Sequence, residues 1–463
     1  MNTSSDARVS SPRARSAKKG SGEARTFPFT PLEDAIVHSE RQGFPITIEL
    51  QVDLAGRIDG KGVRRAIREA QRIHPLAACR RRFVAAFDRV QQWEFTDTND
   101  VEAVTFSSLA DAIELEAARD QLLSERIPLE CAPLFRVLHA RLPDHDALLF
   151  SVHHGAFDGI GCLAFLRSIA ASYGGRSFDE SEAEAICRTE LNRRRDAGPV
   201  VSGERREGLR AYVEPVRSFA RSPRTARVAP SRPRGADGYG ITHRSIRLAA
   251  GRSMLETSYH PDATANDVLV AALHLAIAEW NLDHGVVDDE IGVTVPVSGR
   301  LPTERAQIVA NLTRQGATVS TRRDRSDPRQ LLESIRAQTA RLKREGGNEP
   351  AAVLGSVSFI PAPVRRRLPS VVSSLTRDRF VDTSRLSNLG RYDPLEFSSP
   401  GFQVDRLWFS PPVRMPQGLT VGTVSLGESL YLSFRWCRAL FDHAAAGHFA
   451  DLYLDAINRL TSP

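Results

Sequence analysis

Ser151-Val152-His153-His154-Gly155-Ala156-Phe157-Asp158-Gly159 is the densest signal in the chain. An apolar segment, 147–153, runs into two adjacent histidines, and an Asp-Gly pair opens a helical pattern over 160–173. The spacing predicts a strand, a short turn and a helix. Successive strand residues face opposite sides of a sheet, so only one of His153 and His154 can face a given cleft. Imidazole is the side chain best matched to proton transfer near neutral pH, and a strand end holds it rigidly. Asp158 can fold back across the loop to orient a ring, or pin the loop through an arginine. Gly155 and Gly159 permit tight backbone turns. Two histidines with ordinary structural hydrogen bonds would be the plain reading of a lone His; the full pattern points to function. His154 and Asp158 could ligate a metal, but no third ligand has suitable spacing, so none is expected.

Outward from this motif, 134–142 predicts a strand joined to 147–153 through Pro143-Asp144-His145-Asp146, a run of turn residues. Further upstream, 46–52 alternates apolar and polar residues as a strand does, and 63–72 has helical spacing, ended by Pro75. A helix is expected over 109–123. Downstream, the pattern predicts a helix at 266–280 capped by Thr264 or Asn266, strands at 291–297 and 317–321, and a helix at 328–345. Strands at 420–425 and 429–436, joined by Leu426-Gly427-Glu428, and a final helix at 444–460 complete it. The expected organisation is a disordered basic tail at 1–26, an N-terminal lobe at 27–185, a basic linker at 186–240 that can open with a helix, and a C-terminal lobe at 241–463. Mixed strands and helices in two comparable halves give a two-lobed α/β architecture.

Composition narrows the function classes. The 463 residues are 41% hydrophobic and 25% charged, as in ordinary globular proteins. No apolar run reaches the roughly 18 residues of a membrane span; the longest, 268–280, includes His274 and Glu279. The first residues show no apolar signal region. The five cysteines are scattered and form no CxxC pair, so neither disulfides nor zinc are expected and a cytoplasmic location fits. Of the net charge of +6, residues 1–26 supply +4 and 186–240 supply +7, which leaves the lobes slightly acidic at −5. The basic charge therefore sits outside the folded lobes, and nucleic acid is not an expected partner. The basic linker suits anionic lipid surfaces, so peripheral membrane contact is open to it.

His153-His154-x-x-x-Asp158-Gly159 resembles the signature of the CoA-dependent acyltransferase superfamily. That superfamily includes chloramphenicol acetyltransferases, plant alcohol acyltransferases, polyketide-associated acyltransferases, wax ester synthases and condensation domains of nonribosomal peptide synthetases. Ile73-His74-Pro75-Leu76 is similar to its early block. Val297-Ser298-Gly299-Arg300 followed by Asn311-Leu312-Thr313 resembles a condensation-domain segment. Thr264 to Leu273 resembles a helix of wax ester synthases, and Ser387-Asn388-Leu389-Gly390 a block of the second half. The resemblance covers about 27–460. Two departures stand out: Ala78 occupies a position that is often Arg, and no DFGWG motif is present, which argues against a plant alcohol acyltransferase.

The resemblance implies an α/β two-lobed sandwich, chloramphenicol acetyltransferase-like, with pseudo-dimeric lobes and a tunnel between them. It implies an acyltransferase moving groups other than aminoacyl groups, with no bound cofactor and an acyl-CoA or acyl carrier protein thioester as co-substrate. His154 would be the general base for direct attack by a hydroxyl or amine acceptor, with His153 beside it. Asp158 would be structural, with Arg300 as its candidate partner. Gly159, Ser387 and Asn388 are candidates around the developing oxyanion. The aromatic run Phe397, Phe402, Trp408 and Phe409 is expected to be core rather than an acyl channel. The partners implied are a small-molecule acyl donor and acceptor or a carrier protein, and the chain is expected to be a monomer. The alternative is a non-catalytic condensation-like module that binds acyl chains or carrier proteins.

Overall fold

The alternation at 46–52 builds a strand whose two faces are both covered. In the computed structural model all eight residues of Thr47–Leu54 are buried. The structure describes residues 26–461 except 41–44, 84, 86, 87, 89, 197–209, 211, 215, 216, 218–224, 232–236, 249–259, 288, 347–359, 366, 369, 370 and 372–380. The expected basic tail thus lies outside the described residues but for Thr26.

The first half runs β1 (Thr26–Pro28), α1 (Pro31–Ser39), β2 (Thr47–Leu54), α2 (Gly60–Ile73), β3 (Cys79–Arg81), β4 (Gln92–Phe95), β5 (Val104–Ser108), α3 (Ala112–Ser124), β6 (Phe135–Arg141), β7 (Asp146–His153), α4 (Gly159–Tyr173) and α5 (Glu180–Asp196). The second runs β8 (Tyr239–Arg247), α6 (Ala265–Asp283), β9 (Glu290–Ser298), β10 (Thr313–Thr321), α7 (Pro328–Glu345), β11 (Ser384–Tyr392), β12 (Val404–Ser410), β13 (Leu419–Leu426), β14 (Ser429–Cys437) and α8 (His443–Thr461).

The N-terminal sheet has the order β12-β2-β7-β6-β5. On one face, Leu50 and Val52 of β2 and Phe150 and Val152 of β7 join a core with Val63 and Ile67 of α2 and Leu163 and Leu166 of α4. The C-terminal sheet has the order β10-β9-β11-β13-β14-β8. Val293, Leu386, Val421 and Leu432 on one face pack with α6, α7 and α8 around a second core. Helix α6 is apolar almost all round because α7, α8 and the sheet enclose it. Among the described residues no helix is long and apolar enough to cross a membrane.

Two expectations change. First, β12 comes from the C-terminal half yet pairs antiparallel with β2, Leu407 opposite Val52 and Phe409 opposite Leu50. A strand at that edge satisfies the open backbone groups of β2. Phe397, Phe402, Trp408 and Phe409 consequently belong to the N-terminal core. The return strand passes tightly: a Cβ on Gly422 would lie 2.1 Å from the Phe409 carbonyl oxygen.

Second, the helix that could open the linker is present, and it packs into the fold rather than standing in solvent. Helix α5 extends to Asp196, and Glu190 and Arg194 are buried. Arg194 reaches Glu33 through Nη2 at 2.6 Å, and Glu190 meets His74 Nδ1 at 2.6 Å. Near the other end, Trp280 Nε1 donates to the Ala229 carbonyl at 2.8 Å, laying that segment along the C-terminal lobe. Arginine-rich composition read as solvated chain, but single arginines here tie elements together. The remainder, 197–209 and most of 211–224, lies outside the described residues.

Candidate active site

Strand β7 ends at His153, and the chain turns at Gly155 into α4. The backbone N–H of His154 donates to the Ile46 carbonyl at 2.9 Å, and that of His153 to Leu134 at 2.9 Å. From Ser151 to Ile160 every residue is buried except His154, which keeps intermediate exposure.

The two histidines hold opposite tautomers. His154 Nδ1 lies 2.9 Å from the Phe157 carbonyl oxygen. A carbonyl only accepts, so Nδ1 carries the proton and Nε2 presents a lone pair. His153 Nδ1 instead accepts from the Gly155 N–H at 3.0 Å, so its proton sits on Nε2, which faces Glu40 Oε1 at 3.6 Å. His153 is fully buried. Its expectation as a catalytic group is corrected: the ring is sealed in, with Nδ1 turned back to the Gly155 N–H, where it shapes the turn. A Cβ on Gly155 would come within 3.1 Å of the His153 ring and of Val37, so the turn needs glycine there.

Asp158 does two jobs. Oδ1 accepts from Gly161 N–H at 2.8 Å and caps α4. Oδ2 receives Arg300 Nη1 at 2.5 Å, Leu312 N–H at 2.9 Å and Thr313 Oγ1 at 3.0 Å. Arg300 Nη2 donates to the carbonyls of Ala310 at 2.6 Å and Ile308 at 3.2 Å. Burial alone would raise the Asp158 pKa, but Arg300 and the N–H donors hold it below its usual range. This buried pair fastens the β7–α4 turn to the segment before β10.

Asn311 is a residue the sequence named only through the resemblance. Its amide Nδ2 donates to the His154 carbonyl at 2.7 Å, fixing the backbone that carries the imidazole. Arg385 gave no signal in the sequence. It sits on β11 on the face opposite Leu386, toward the N-terminal lobe. Burial pushes the His154 pKa down to about 4; the Phe157 bond opposes this and the Arg385 charge adds to it. Burial likewise lowers Arg385 itself to about 10.

The other candidates lie apart from the ring. Gly159 is sealed by Leu389 and Phe409, whose side chains would meet a Cβ there at 2.7 and 2.8 Å. Asn388 Nδ2 is 3.4 Å from Asn266 Oδ1, and its Oδ1 accepts from Gly390 N–H. Ser387 shares the inward face of β11 with Arg385, and no hydrogen bond joins it or Asn388 to His154.

No family model matches the chain. An uncharacterized protein of Mycobacterium tuberculosis, found in strains CDC 1551 and H37Rv, is 28% identical over 441 residues, covering 94% of this chain and 99% of that one. The condensation domain of the Monacolin K polyketide synthase MokA superposes with a TM-score of 0.63 at 13% identity, covering 94% of this chain and 97% of that domain. A trichothecene 15-O-acetyltransferase from Fusarium sporotrichioides gives 0.63 at 12% identity over 96% and 98%. A wax ester synthase/diacylglycerol acyltransferase from Marinobacter aquaeolei VT8 gives 0.59 at 13% over 94% and 98%. At these identities the likeness is one of fold: the chain has the two-lobed α/β architecture shared by condensation domains and chloramphenicol acetyltransferase-like acyltransferases.

Proposed function

We propose that the protein is an acyltransferase in which His154 is the general base. The observation that carries this reading is the ring's fixed tautomer: Nδ1–H is spent on the Phe157 carbonyl, so Nε2 is a pure acceptor on the one partly exposed residue of the motif. In the reaction Nε2 takes the proton from an acceptor hydroxyl or amine. The freed oxygen or nitrogen attacks the thioester carbonyl carbon, and the C–S bond breaks as the tetrahedral intermediate collapses. The imidazolium returns the proton to the departing thiolate. The donor is an acyl-CoA or a carrier-protein thioester, and no acyl-enzyme forms.

Asp158 and Arg300 act as positioning residues for the turn, and Asn311 for the backbone of His154. With its pKa near 4, His154 stays in the base form far below the 6.5 of a free imidazole. The acid limb of kcat/KM would therefore not be set by this ring until pH nears that value.

The test offers short and long acyl-CoAs with alcohol and amine acceptors, and follows thiol release and product mass. His154→Ala is expected to cut turnover at least about a hundredfold. Turnover equal to that of the parent chain would refute the assignment.

A further inference from the structure

At the end of β7 remote from His154, about 24 Å away by strand rise, the start of α2 and strands β5 and β6 enclose a cavity of about 250 Å³. Lys61, Arg64 and Arg141 contribute three cations to its wall, Phe106 a ring 49% exposed, and His139 a buried imidazole. Lys61 is exposed and, among the described residues, forms no ion pair. Arg64 is weakly held, by Glu102 at 3.8 Å and the Val104 carbonyl at 3.3 Å. Arg141 binds Asp146 through Nε and Nη2, and its Nη1 takes no part in those bonds.

His139 points to a ligand. The ring is 1% exposed, and Nε2 is bonded to Asp146 Oδ2 at 2.9 Å. Its Nδ1 is buried with no hydrogen-bond partner. That atom faces the bare backbone of Gly60, where a Cβ would stand 3.4 Å from it, and Gly60 lines the cavity. A buried polar atom without a partner costs free energy unless a bound molecule or water supplies one. The one carboxylate in the wall, Asp59, is already committed to the N–H groups of Lys61 and Gly62. The start of α2 is thus capped, and attraction for an anion comes from the three cations rather than from the helix end.

We propose that this cavity is a second ligand site, separate from His154, that takes a phosphomonoester. Lys61 and Arg64 pair with the phosphate oxygens, as cationic side chains commonly do. A monoanionic phosphate donates its P–OH to His139 Nδ1, and the atom gains a partner. Phe106, over which Arg141 lies 5.2 Å from the ring centroid, offers a face to the organic part. The ligand comes from solution or from the head group of an anionic lipid.

Calorimetric titration of the full chain with inorganic phosphate and with adenosine monophosphate tests this. Binding with a Kd on the order of 1 mM or tighter is expected. The Lys61→Ala/Arg64→Ala double variant should weaken it at least about tenfold. Arg65→Ala/Arg68→Ala removes the same charge from exposed positions of α2 that do not line the cavity, and should leave binding unchanged. Sedimentation with phosphatidic acid vesicles separates the two sources: competition by soluble phosphate places the lipid head group in the same cavity. The proposal is overturned by no binding of either soluble phosphate, or by equal weakening in both double variants.

Discussion

The N-terminal sheet has two buried faces of different kinds. Toward α2 and α4 it presents Ile48, Leu50, Val52, Phe150 and Val152, and the contact is dry and apolar. Toward the C-terminal half it presents Thr47, Glu49, Gln51, Asp53, Ser151 and His153, all buried as well. This second contact is a seam of ion pairs and backbone ties. Arg435 donates to the Thr47 carbonyl at 2.6 Å, Arg119 of α3 to the Ile241 carbonyl at 3.3 Å, and Arg438 reaches Asp120 of α3 at 2.7 Å. The dry face is held by area removed from water, which tolerates changes of detail. The seam is held by pairing, where loss of one partner strands the other in a water-poor site.

Three experiments press on this contrast. The largest effect is expected at the Asp158–Arg300 pair. Arg300→Met should destabilise by about 4 kcal/mol, because it leaves a buried carboxylate short of its cation. Arg300→Lys should rescue little, since one ammonium cannot serve Asp158 and two carbonyls as the guanidinium fork does. Urea denaturation measures both, and a loss under about 1 kcal/mol would mean that the seam tolerates unpaired charge.

Next comes Leu50→Ala on the dry face. It should cost about 3 kcal/mol, the scale of a deleted buried leucine, and the cost should not vary with pH. A clear pH dependence of that cost would blur the distinction between the faces.

The smallest effect is at Glu49, whose pKa burial raises to about 7, against the pull of Arg119 and Arg435. The folded state keeps this proton up to about pH 7, whereas the unfolded chain releases it near 4.5. Between those values the native state binds more protons, so this contribution to stability is full below 4.5 and is lost as pH rises through 7. Glu49→Gln should therefore stabilise the protein at pH 8, by on the order of 1–2 kcal/mol, and flatten its melting temperature across that window. A parallel pH profile in parent and variant would remove Glu49 from the account.

Local chemistry made much of this legible. Helix α7 spans Pro328–Glu345 as the sequence predicts, because Asp327 caps it, Pro328 starts it and Gly346 ends it in the left-handed region at φ 73°. Thr264, one of two caps considered for α6, is the one used, with Asp267 completing a capping box. Strand β11 was hidden: Ser387-Asn388-Leu389-Gly390 contains turn residues, and the strand bulges between Asn388 and Arg391, with Gly390 at φ 95°. For β12 the sequence shows only an aromatic run that belongs in a core, because composition does not reveal the sheet edge that a strand joins.

By itself the sequence determined many of the local elements and the order strand, His-His, turn, Asp-Gly, helix, since backbone preference, capping and hydrophobic period act over a few residues. Only the tertiary structure decided which histidine keeps an open nitrogen, because that depends on the Phe157 carbonyl and the Gly155 N–H after the chain has turned. It also decided that Asp158 meets Arg300 across 142 positions, and that the polar side of β2 is covered rather than wet. Those outcomes depend on contacts between distant segments, and alternation of polar and apolar residues is the same whether a polar face meets water or another lobe.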